Sequence, residues 1–506
     1  MEAALLPVPR RRVGLALSAD DAPRWVESMV GLVRRSDLAE VVIAARVPAP
    51  PARRGGRMFR LYERADRRLT AGEGPDALER VALDRVLDGL ARGGLADLAA
   101  AGLDVVLWAG SGHPPAALRG IASEGVWWIR DGDAPYFWDL LEGADEIVTE
   151  LVASWPRSDP DSTRVLYRAS SGRYPASLQR TRNPIYWKAA HYPKRALEGA
   201  GTSAATTTVA RPLPGTRDVV RFATRLARGR LARASGPTRW HLAVNAPGAK
   251  PSLLDGGSGT LTIEPPPGRD FADPFLFERA GRRYVFFEDQ RPGRPHADIS
   301  YVELLPDGGH TDPTVVLELD HHLSYPFVFE SDGEAYMLPE MSAAGRVELY
   351  RAERFPDRWV PHAVLIPGVE ALDATIVRHR GLFWMFATVV VPGGPSSEEL
   401  SVFYAHSLTG PWLPHPRNPV VTDASRARPA GRILHRDGAL IRPGQDCSHD
   451  YGAGIVLSRI DVLTPTEYRE TPIRHVAPRR DQGELRTHCY DAVGGYEVID
   501  RFARTD

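Results

Sequence analysis

The second half of the chain repeats one short pattern of apolar and polar positions. An apolar, β-rich run leads into a tight turn at a glycine, and a second β-rich run follows. Four clear copies and a weaker fifth occupy Asp273–Gln290, Tyr325–Ser342, Asp373–Val390, Ala430–Cys447 and Cys489–Phe502. A hairpin of this kind buries its apolar face only by stacking on its neighbours, and hairpins that recur about every 50 residues are typical of a β-propeller. The pattern therefore predicts an all-β propeller of five blades around a central funnel.

The first half of the chain alternates between the strand period and the helix period. Buried strands are predicted at Val13–Ser18, Glu40–Val47, Asp104–Ala109 and Gly125–Ile129. Helices are predicted at Ala22–Arg35, Ala77–Leu90 and Pro114–Ala122. Two further strands are predicted at Glu146–Ala153 and Arg164–Ala169. Strands that alternate with helices favour a doubly wound, Rossmann-like α/β domain.

Composition divides the chain into three segments. Residues 1–198 form the predicted α/β domain, 199–238 a linker and 239–506 the propeller. The linker is rich in Gly, Ala, Thr and Pro, and its second part, 216–234, is predicted to be a basic helix. We expect the arginines of that helix to be solvated, although a basic helix could also touch the surface of an anionic membrane.

Charge and cysteine content exclude several kinds of partner and site. The 506 residues carry 63 Lys and Arg against 64 Asp and Glu, and the net charge of −1 does not indicate a nucleic-acid partner. Two cysteines are too few for a disulfide framework and lack zinc-ligand spacing, so we expect no metal and no cofactor. No apolar run reaches the roughly 18–20 residues that span a bilayer. The N-terminal arginines follow a very short apolar stretch, the wrong order for a signal peptide, so we expect a cytoplasmic protein, its oligomeric state left open.

The propeller half carries a set of motifs that are specific when taken together. They are ADPFLFE, HLSYPFVFE, LPEMS, LDATIV, LFWMFATV, RPAGRI and RPGQDCSHDYG. Over roughly Trp240–Phe502 they resemble the N-terminal domain family of the plant glucosamine inositolphosphorylceramide transferase and its bacterial relatives. Ser407–Val421 and FADPFLF are similar to motifs of the five-bladed propellers of arabinanases and levansucrases. In the plant protein sugar transfer belongs to a separate C-terminal module, and none follows Phe502, so we do not expect the family name alone to imply that activity.

The resemblance implies where glycosyl chemistry would lie. The similar hydrolases use carboxylates on the first, third and fourth blades for the acid–base steps of glycoside hydrolysis. Asp273 matches the first, a general base or nucleophile, and Asp373 matches the acid that orients and tunes the pair. The fourth copy of the repeat begins with Ala430–Arg432 and has no carboxylate at the position of the general acid. We therefore expect Glu340 to be the third catalytic residue, with Glu288 at the equivalent place of the first phrase; either could supply a proton if burial raises its pKa.

Other polar residues of the propeller are predicted to bind the substrate. They are Glu288, His322, Arg428, Arg432, Gln445, Asp446 and His488. A guanidinium binds phosphate or carboxylate through two hydrogen bonds, so arginines in the funnel favour a sugar nucleotide, a phosphosugar or an anionic glycan. Arg432 could instead neutralise Asp273 or Asp373 in a buried ion pair.

One part of the first half carries motifs of its own. Leu103–Arg168 contains DVVLWAG, EGVWWIRDGDAPYFWDLLEG, EIVTELVAS and STRVLYRAS, and NPIYWK follows at Asn183–Lys188. This segment resembles the formyltransferase-like domain found beside the same propeller family. Active formyltransferases need an Asn and a His close together after the strand, and the run Trp127–Asp133 has neither. Formyl transfer is therefore expected to be lost.

Three functions stay open on the sequence. The first is an enzyme that acts on a glycosyl bond in the propeller funnel, by transfer or hydrolysis, with a sugar or glycoconjugate as substrate. The second is a non-catalytic protein that binds a glycan or a sugar nucleotide, because the fourth-blade acid and the Asn/His pair are both missing. The third is a sugar N-formyltransferase with an atypical site, which would require a folate donor.

Overall fold

The chain divides into two compact units in a computed structural model. One unit comprises Met1–Arg233 with Val391–Pro395, and the other comprises Ala234–Val390 with Ser396–Asp506. The structure describes residues 10–48, 56–72, 74–84, 87–110, 112–132, 134–155, 163–199, 204–206, 211–233 and 237–504. Parts of the predicted linker, residues 200–203, 207–210 and 234–236, lie outside the described residues.

A sheet of mixed direction forms the centre of the first unit. Its strands and those of a small accessory pair, among the described residues, are β1 (Arg11–Leu17), β2 (Asp21–Pro23), β3 (Ala39–Arg46), β4 (Arg80–Ala82), β5 (Ala91–Gly93), β6 (Val105–Trp108), β7 (Val126–Arg130), β8 (Ile147–Ser154), β9 (Thr163–Ser171) and β10 (Ala204–Thr206). The sheet order is β10-β9-β8-β7-β6-β1-β3-β5. Strands β5, β3, β1, β6 and β7 run parallel, and β8, β9 and β10 continue the sheet in antiparallel fashion. The formyltransferase-like and Rossmann-like assignments of this unit stay predictions.

Helices cover the sheet of the first unit. They are α1 (Arg24–Arg34), α2 (Arg57–Leu69), α3 (Leu95–Ala100), α4 (Phe137–Glu142), α5 (Leu178–Ala189), α6 (Tyr192–Leu197) and α7 (Thr216–Arg233). Helix α1 follows the predicted periodicity, since Val26, Val30 and Val33 fall on one face and are buried. No helix in the part of the chain that the structure describes is long and apolar enough to cross a membrane.

Two predicted helices of the first unit are wrong. In Ala77–Leu90 the buried Leu83 and Leu87 have helical spacing, but β4 forms there and pairs with β2. In Pro114–Ala122 only a single 3₁₀ turn forms, at Ala116–Leu118. In the first segment strand pairing outweighs a local preference of a few tenths of a kcal/mol per residue. Helices α2, α3, α4, α5 and α6 were not predicted.

The second unit is the predicted five-bladed β-propeller, formed within residues 237–504. Its strands are β11 (Thr238–Asn245), β12 (Leu261–Ile263), β13 (Asp270–Arg279), β14 (Arg282–Gln290), β15 (Asp298–Leu304), β16 (Thr314–Leu317), β17 (Ser324–Ser331), β18 (Glu334–Glu340), β19 (Arg346–Arg354), β20 (Arg358–Pro367), β21 (Ala371–His379), β22 (Leu382–Val389), β23 (Glu399–Ala405), β24 (Leu413–Pro414), β25 (Val421–Thr422), β26 (Leu434–Arg436), β27 (Ala439–Asp446), β28 (Gly454–Leu463), β29 (Tyr468–Val476), β30 (Glu484–Arg486), β31 (Tyr490–Val493) and β32 (Tyr496–Arg504). Blades one to four are β13–β16, β17–β20, β21–β25 and β26–β29, and blade five combines β11 and β12 with β30, β31 and β32.

Each repeated phrase forms the inner hairpin of a blade, as predicted. The hairpin loops have two residues, and both carry positive φ: Ala280–Gly281, Asp332–Gly333, Arg380–Gly381, Asp437–Gly438 and Gly494–Gly495. Two positive φ values in a two-residue loop define the turn that matches the twist of the flanking strands. The glycines that identify the repeat are therefore required by the turn conformation.

The two ends of the propeller sequence close the ring. Strand β11 pairs antiparallel with β32 along its whole length, with Trp240 opposite Phe502. This pairing joins segments about 250 residues apart and leaves the ring without an open edge between first and last blades. The fifth, weakest phrase thus becomes a complete blade only with the help of β11.

Candidate functional site

The innermost strands of the first three blades break their pairing at the same place. In β13, β17 and β21 the register shifts around Asp273, Tyr325 and Asp373, and these three residues have φ of 52°, 45° and 54°. Residues other than glycine adopt such φ values only when the surroundings hold them, and a bulge re-aims a side chain. The repeat thus turns two carboxylates and one phenol out of the regular strand pattern at equivalent points of three blades.

In the fourth blade the residue eight positions before the turn glycine, as Asp273, Tyr325 and Asp373 are, is Ala430. The positive φ, 125°, belongs to the next residue, Gly431. A Cβ atom on Gly431 would lie 1.8 Å from the carbonyl oxygen of Tyr490. The Gly431 N–H donates to the Tyr325 hydroxyl at 2.7 Å, and that hydroxyl in turn donates to the Gly431 carbonyl at 3.1 Å. A side chain at Gly431 is therefore excluded by the Tyr490 carbonyl oxygen.

A cavity of about 270 Å³ opens on this part of the propeller. It is lined by Trp240, Asp270, Ala272, Asp273, Glu288, Gln290, His322, Ser324, Glu340, Arg428, Tyr451 and His488. Asp270, Asp273, Glu288 and Glu340 are its carboxylates. Of the predicted site residues, the structure brings Asp273, Glu288, His322, Glu340, Arg428 and His488 together at this cavity.

Asp273 is the buried carboxylate of this cavity with a free oxygen. Its Oδ2 accepts the Tyr325 N–H at 3.3 Å, whereas Oδ1 has no hydrogen-bond partner among the described residues. Burial raises the pKa of Asp273 to about 7, and the nearby Asp373 and Asp500 act in the same direction against His488 and the cavity arginine. A carboxyl group of this kind exchanges a proton near neutral pH.

His488 faces Asp273 and is fixed in place from behind. Its Nε2 lies 3.8 Å from Asp273 Oδ1, and its Nδ1 forms an ion pair with the fully buried Asp500. Trp240 stacks on the imidazole at 4.4 Å and 17°, and Tyr451 contacts it edge-on at 5.1 Å. Burial opposes the charge on His488, but Asp500 and Asp273 outweigh it and raise the pKa of His488. The result is a rigid, positively charged neighbour for Asp273.

The two glutamates of the cavity differ in their surroundings. Burial raises the pKa of Glu288 well above its usual range, and the negative charges of Asp273 and Glu340 raise it further. His322 lies beside it, with Nε2 3.6 Å from Glu288 Oε1, and burial lowers the pKa of His322. Burial and the neighbouring negative charges thus both favour the protonated form of Glu288.

Glu340 is held as a hydrogen-bond acceptor. Its Oε2 accepts the Ser324 hydroxyl at 2.8 Å and its Oε1 accepts the Ser342 N–H at 2.6 Å. Glu340 is thus engaged as an acceptor on both oxygens, whereas Glu288 is the glutamate of the cavity whose pKa burial raises.

Asp373 is sealed behind an arginine. It is 1% exposed, and Arg428 binds both of its oxygens, with Nε at 2.6 Å and Nη2 at 3.2 Å. Gln445 Nε2 donates to Asp373 Oδ2 at 2.9 Å. Burial raises the pKa of Asp373, while Arg428 opposes this. Asp373 therefore positions Arg428 at the cavity and does not itself line it.

Three predicted substrate-binding residues lie elsewhere. Arg432 pairs with Asp491 at 2.9 Å and donates to two backbone carbonyls, so neither Asp273 nor Asp373 is its partner. Gln445 is buried, and its side-chain amide donates a hydrogen bond to Asp373. Asp446 accepts the Ser448 hydroxyl at 2.6 Å and pairs with His475 at 3.0 Å. Partners inside the blades engage all three side chains, and none of them lines the cavity.

Several residues of the site were missed by sequence reasoning. Trp240, Tyr451 and Ser324 line the cavity and contact His488 or Glu340, and Asp500 holds His488 from behind. Asp270, Ala272 and Gln290 complete the lining. Tyr451 belongs to the motif RPGQDCSHDYG and Ser324 to HLSYPFVFE, so these two carried a signal. Asp500 and Trp240 reach the site only through the closure of blade five.

One group of side chains has the spacing of metal ligands. Ligand atoms of Asp273, His488 and Asp500 lie within 4.8 Å of one another. Because Asp500 is taken up by His488 Nδ1, this group offers an ion Asp273 Oδ1 and His488 Nε2, fewer than the three or four protein ligands of a zinc site.

Comparison with known proteins gives the propeller its relatives. Residues 260–489 match the model of a family described as Glucosamine inositolphosphorylceramide transferase 1, N-terminal. Glucosamine inositolphosphorylceramide transferase 1 of Arabidopsis thaliana is 36% identical over 234 residues, which are 44% of this chain and 30% of that protein. Its counterpart from Oryza sativa subsp. japonica is 39% identical over 247 residues, 46% of this chain and 33% of that protein. The chain thus spans about a third of the length of the curated relatives it matches.

Solved structures with related chain traces are glycoside hydrolases. An alpha-L-arabinanase of Cellvibrio cellulosa, complexed with arabinohexaose, is 16% identical with a TM-score of 0.31, over 40% of this chain and 77% of that one. A family 117 glycoside hydrolase produced by Zobellia galactanivorans is 11% identical with a TM-score of 0.35, over 53% and 90%. The resemblance predicted from the motifs is confirmed by the sequence relatives, and the propeller of this chain matches the N-terminal domain of glucosamine inositolphosphorylceramide transferase 1.

Proposed function

We propose that the propeller cavity acts on a glycosyl bond, by transfer or hydrolysis, and that Asp273 is the base or nucleophile of the reaction. The observation that carries this proposal is the buried, unpartnered Oδ1 of Asp273 in a polar cavity. A buried polar atom without a partner costs about 1–3 kcal/mol, and such atoms are expected where a ligand supplies the partner.

Glu288 takes the role of the acid in this proposal. Glycosyl-bond cleavage needs one carboxyl group that donates a proton and one carboxylate that accepts a proton or attacks carbon. The raised pKa of Glu288 supports the first role, and the pKa of Asp273, about 7, supports the second. Glu288 lies on β14, which pairs with β13, where Asp273 lies. The acid that the fourth copy of the repeat lacks at Ala430–Arg432 is thus supplied by blade one.

The other residues of the cavity support these two. His488, held by Asp500, places a positive charge beside Asp273 and stabilises its ionised form. Glu340, whose oxygens accept from Ser324 and Ser342, is in this proposal an acceptor for a substrate hydroxyl or ammonium group. Asp373 acts through Arg428 as a positioning residue.

The charge of the cavity favours a neutral sugar or an amino sugar. Four carboxylates line it, and its arginine is already paired with Asp373. The anionic or phosphorylated sugar expected from the sequence loses its support, since Arg432 is engaged away from the cavity. The names of the curated relatives contain glucosamine, which agrees with a cationic amino sugar among carboxylates. A cavity of about 270 Å³ lies just below the usual range of small-molecule sites, about 300–1,000 Å³, and suits one sugar unit with its leaving group.

The test of the proposal is turnover of a panel of aryl hexosaminides, aryl hexosides and sugar nucleotides by the full chain and by Glu288→Gln. The wild type should release product from at least one of them. Loss of a general acid should slow substrates with a poor leaving group by about 10²–10⁴-fold and spare those with an activated aryl group. An equal effect on both kinds of substrate would contradict the acid role of Glu288.

A second candidate function is sugar binding without chemistry. The missing carboxylate at Ala430–Arg432, where the similar hydrolases carry an acid, favours it. Calorimetric titration with the same panel separates the two functions. A sugar that binds, together with no turnover of any member of the panel, would replace the first proposal by the second.

A further inference from the structure

The outer face of helix α2 in the first unit carries a row of apolar side chains next to a row of arginines. Met58, Leu61, Ala65 and Leu69 follow one another at spacings of three or four residues, so they form one row along the helix. Met58 is 41% exposed, Leu61 56% and Leu69 83%. Large apolar side chains exposed in a contiguous row on a soluble surface indicate an interaction site.

A row of arginines runs beside the apolar row. Arg57, Arg60, Arg64 and Arg68 each precede one member of the apolar row by one position, and all four are exposed. None of these four arginines forms an ion pair with a residue that the structure describes. Most arginines of the propeller are paired, for example Arg428 with Asp373. The charge of the α2 row is therefore free for an anionic partner.

The inner face of α2 keeps this outer face in place. Phe59 is 2% exposed and packs edge-on against Phe137 at 5.1 Å. Tyr62 packs edge-on against Phe222 of α7 at 5.5 Å, and Asp66 accepts the Gln179 N–H at 2.7 Å. If the helix rotated about its axis to bury Leu61 and Leu69, it would lose these contacts.

Helix α7, which packs beside α2, shows the same combination on a smaller scale. Val220 is 56% exposed, and the exposed Arg217 and Arg221 lie three residues before and one residue after it. Apart from Tyr174, the strongly exposed large apolar side chains in the described part of the first unit lie on α2 and α7. The pattern is thus confined to one pair of packed helices.

We infer that the face of α2 formed by Arg57, Arg60, Arg64, Arg68 and the row from Met58 to Leu69 docks on the surface of an anionic lipid bilayer. An interfacial helix places its apolar side chains at the boundary of the acyl chains and its arginines among the lipid phosphates. A soluble polyanion such as nucleic acid would use the arginines but would leave Leu61 and Leu69 exposed to water. The apolar row next to the arginines therefore selects the bilayer.

The experiment is flotation of the full chain with vesicles of phosphatidylcholine containing roughly 30% phosphatidylserine, compared with phosphatidylcholine alone. The protein should float with the anionic vesicles, and its partition should fall about tenfold or more on neutral vesicles and at roughly 1 M salt. Arg64→Glu/Arg68→Glu and Leu61→Ser/Leu69→Ser should each weaken the partition by a similar factor, with an unchanged circular dichroism spectrum. Arg417→Glu/Arg469→Glu and Ile473→Ser, exposed substitutions in the propeller, are the matched controls and should float like the wild type.

Three results would overturn the inference. A wild-type protein that stays with the soluble fraction in every condition removes the lipid partner. Equal loss of binding in the propeller controls shows that general charge or hydrophobicity is responsible. Binding that vanishes with the arginines but survives the loss of both leucines, and that RNA competes away, assigns the face to a soluble polyanion.

Discussion

His488 Nε2 lies 3.8 Å from Asp273 Oδ1, while Asp500 holds the other nitrogen of the same imidazole. This relationship sets the protonation of Asp273, because a positive charge at that distance lowers the pKa of a carboxyl group that burial would raise further. The pH dependence of any reaction at Asp273 should therefore depend on the charge of His488.

His488→Gln should move the acid limb of the kcat/KM profile to higher pH. In the wild type, activity should fall below about pH 7 as Asp273 takes up a proton. Without the imidazolium the pKa of Asp273 rises, so a higher pH is needed to free its carboxylate. The exposed His406 provides a control, and His406→Gln should leave the profile unchanged. Superimposable acid limbs for wild type and His488→Gln would show that His488 does not set the protonation of the reacting group.

Asp273→Asn should stabilise the protein more at pH 8 than at pH 5. The folded pKa of Asp273, about 7, exceeds its unfolded value of 3.8, so the folded state binds more protons between these values. Stability from this group is therefore present below about pH 4 and is lost as pH rises toward 7. Because the asparagine cannot ionise, the variant should not lose this stability, and its free energy of unfolding at pH 8 should exceed that of the wild type by roughly 2–4 kcal/mol. The measurement is the free energy of unfolding of wild type and variant at both pH values; a variant less stable than wild type at pH 8 would contradict the burial of the charge.

Arg428→Met should destabilise the propeller by about 3–5 kcal/mol, because it leaves the buried Asp373 without its counter-charge. The double variant Arg428→Met/Asp373→Asn removes both charges and should recover most of this loss. Denaturant unfolding of the two variants and the wild type measures the difference. If the single and double variants are equally unstable, the pair is not the main role of Arg428.

Gly431→Ala should cost about 2 kcal/mol or more beyond the effect of Gly293→Ala. Both glycines have positive φ, but a Cβ atom at Gly293 meets nothing within 4 Å, whereas at Gly431 it would lie 1.8 Å from the Tyr490 carbonyl oxygen. The difference between the two variants therefore measures the steric clash together with the additional strain of the wider φ at Gly431. Equal melting temperatures for the two variants would mean that blade four has room for a side chain.

Local features of the fold could be predicted from the sequence and distant ones could not. The hairpin turns could be predicted because a two-residue loop with positive φ requires glycine at one position of the sequence, as at Gly281 and Gly333. The pairing of β11 with β32 requires no particular residue in the local sequence, since it depends on closure of the whole ring. For the same reason Trp240 and Asp500 were missed, although both contact His488.

Two arginines near the start of the fourth copy of the repeat, one just before it and one within it, show the limit for the site. Arg428 and Arg432 are four residues apart and have the same chemistry, so the sequence gives no ground for separating them. In the structure Arg428 reaches the cavity through Asp373, and Arg432 turns to Asp491. Which carboxylate each arginine meets is decided by the packing of blades one, three and five around them, not by their local sequence.

Asp273→Asn compared with Asp446→Asn is the most direct test of Asp273 as the reacting group. Asp446 is a buried carboxylate paired with His475 outside the cavity lining, and its pKa is lowered in spite of burial. Asp273→Asn should reduce turnover by about 10²-fold or more while stability holds or rises, and Asp446→Asn should lose stability and keep its turnover. Wild-type turnover in Asp273→Asn, or a loss of stability greater than that of Asp446→Asn, would contradict the account.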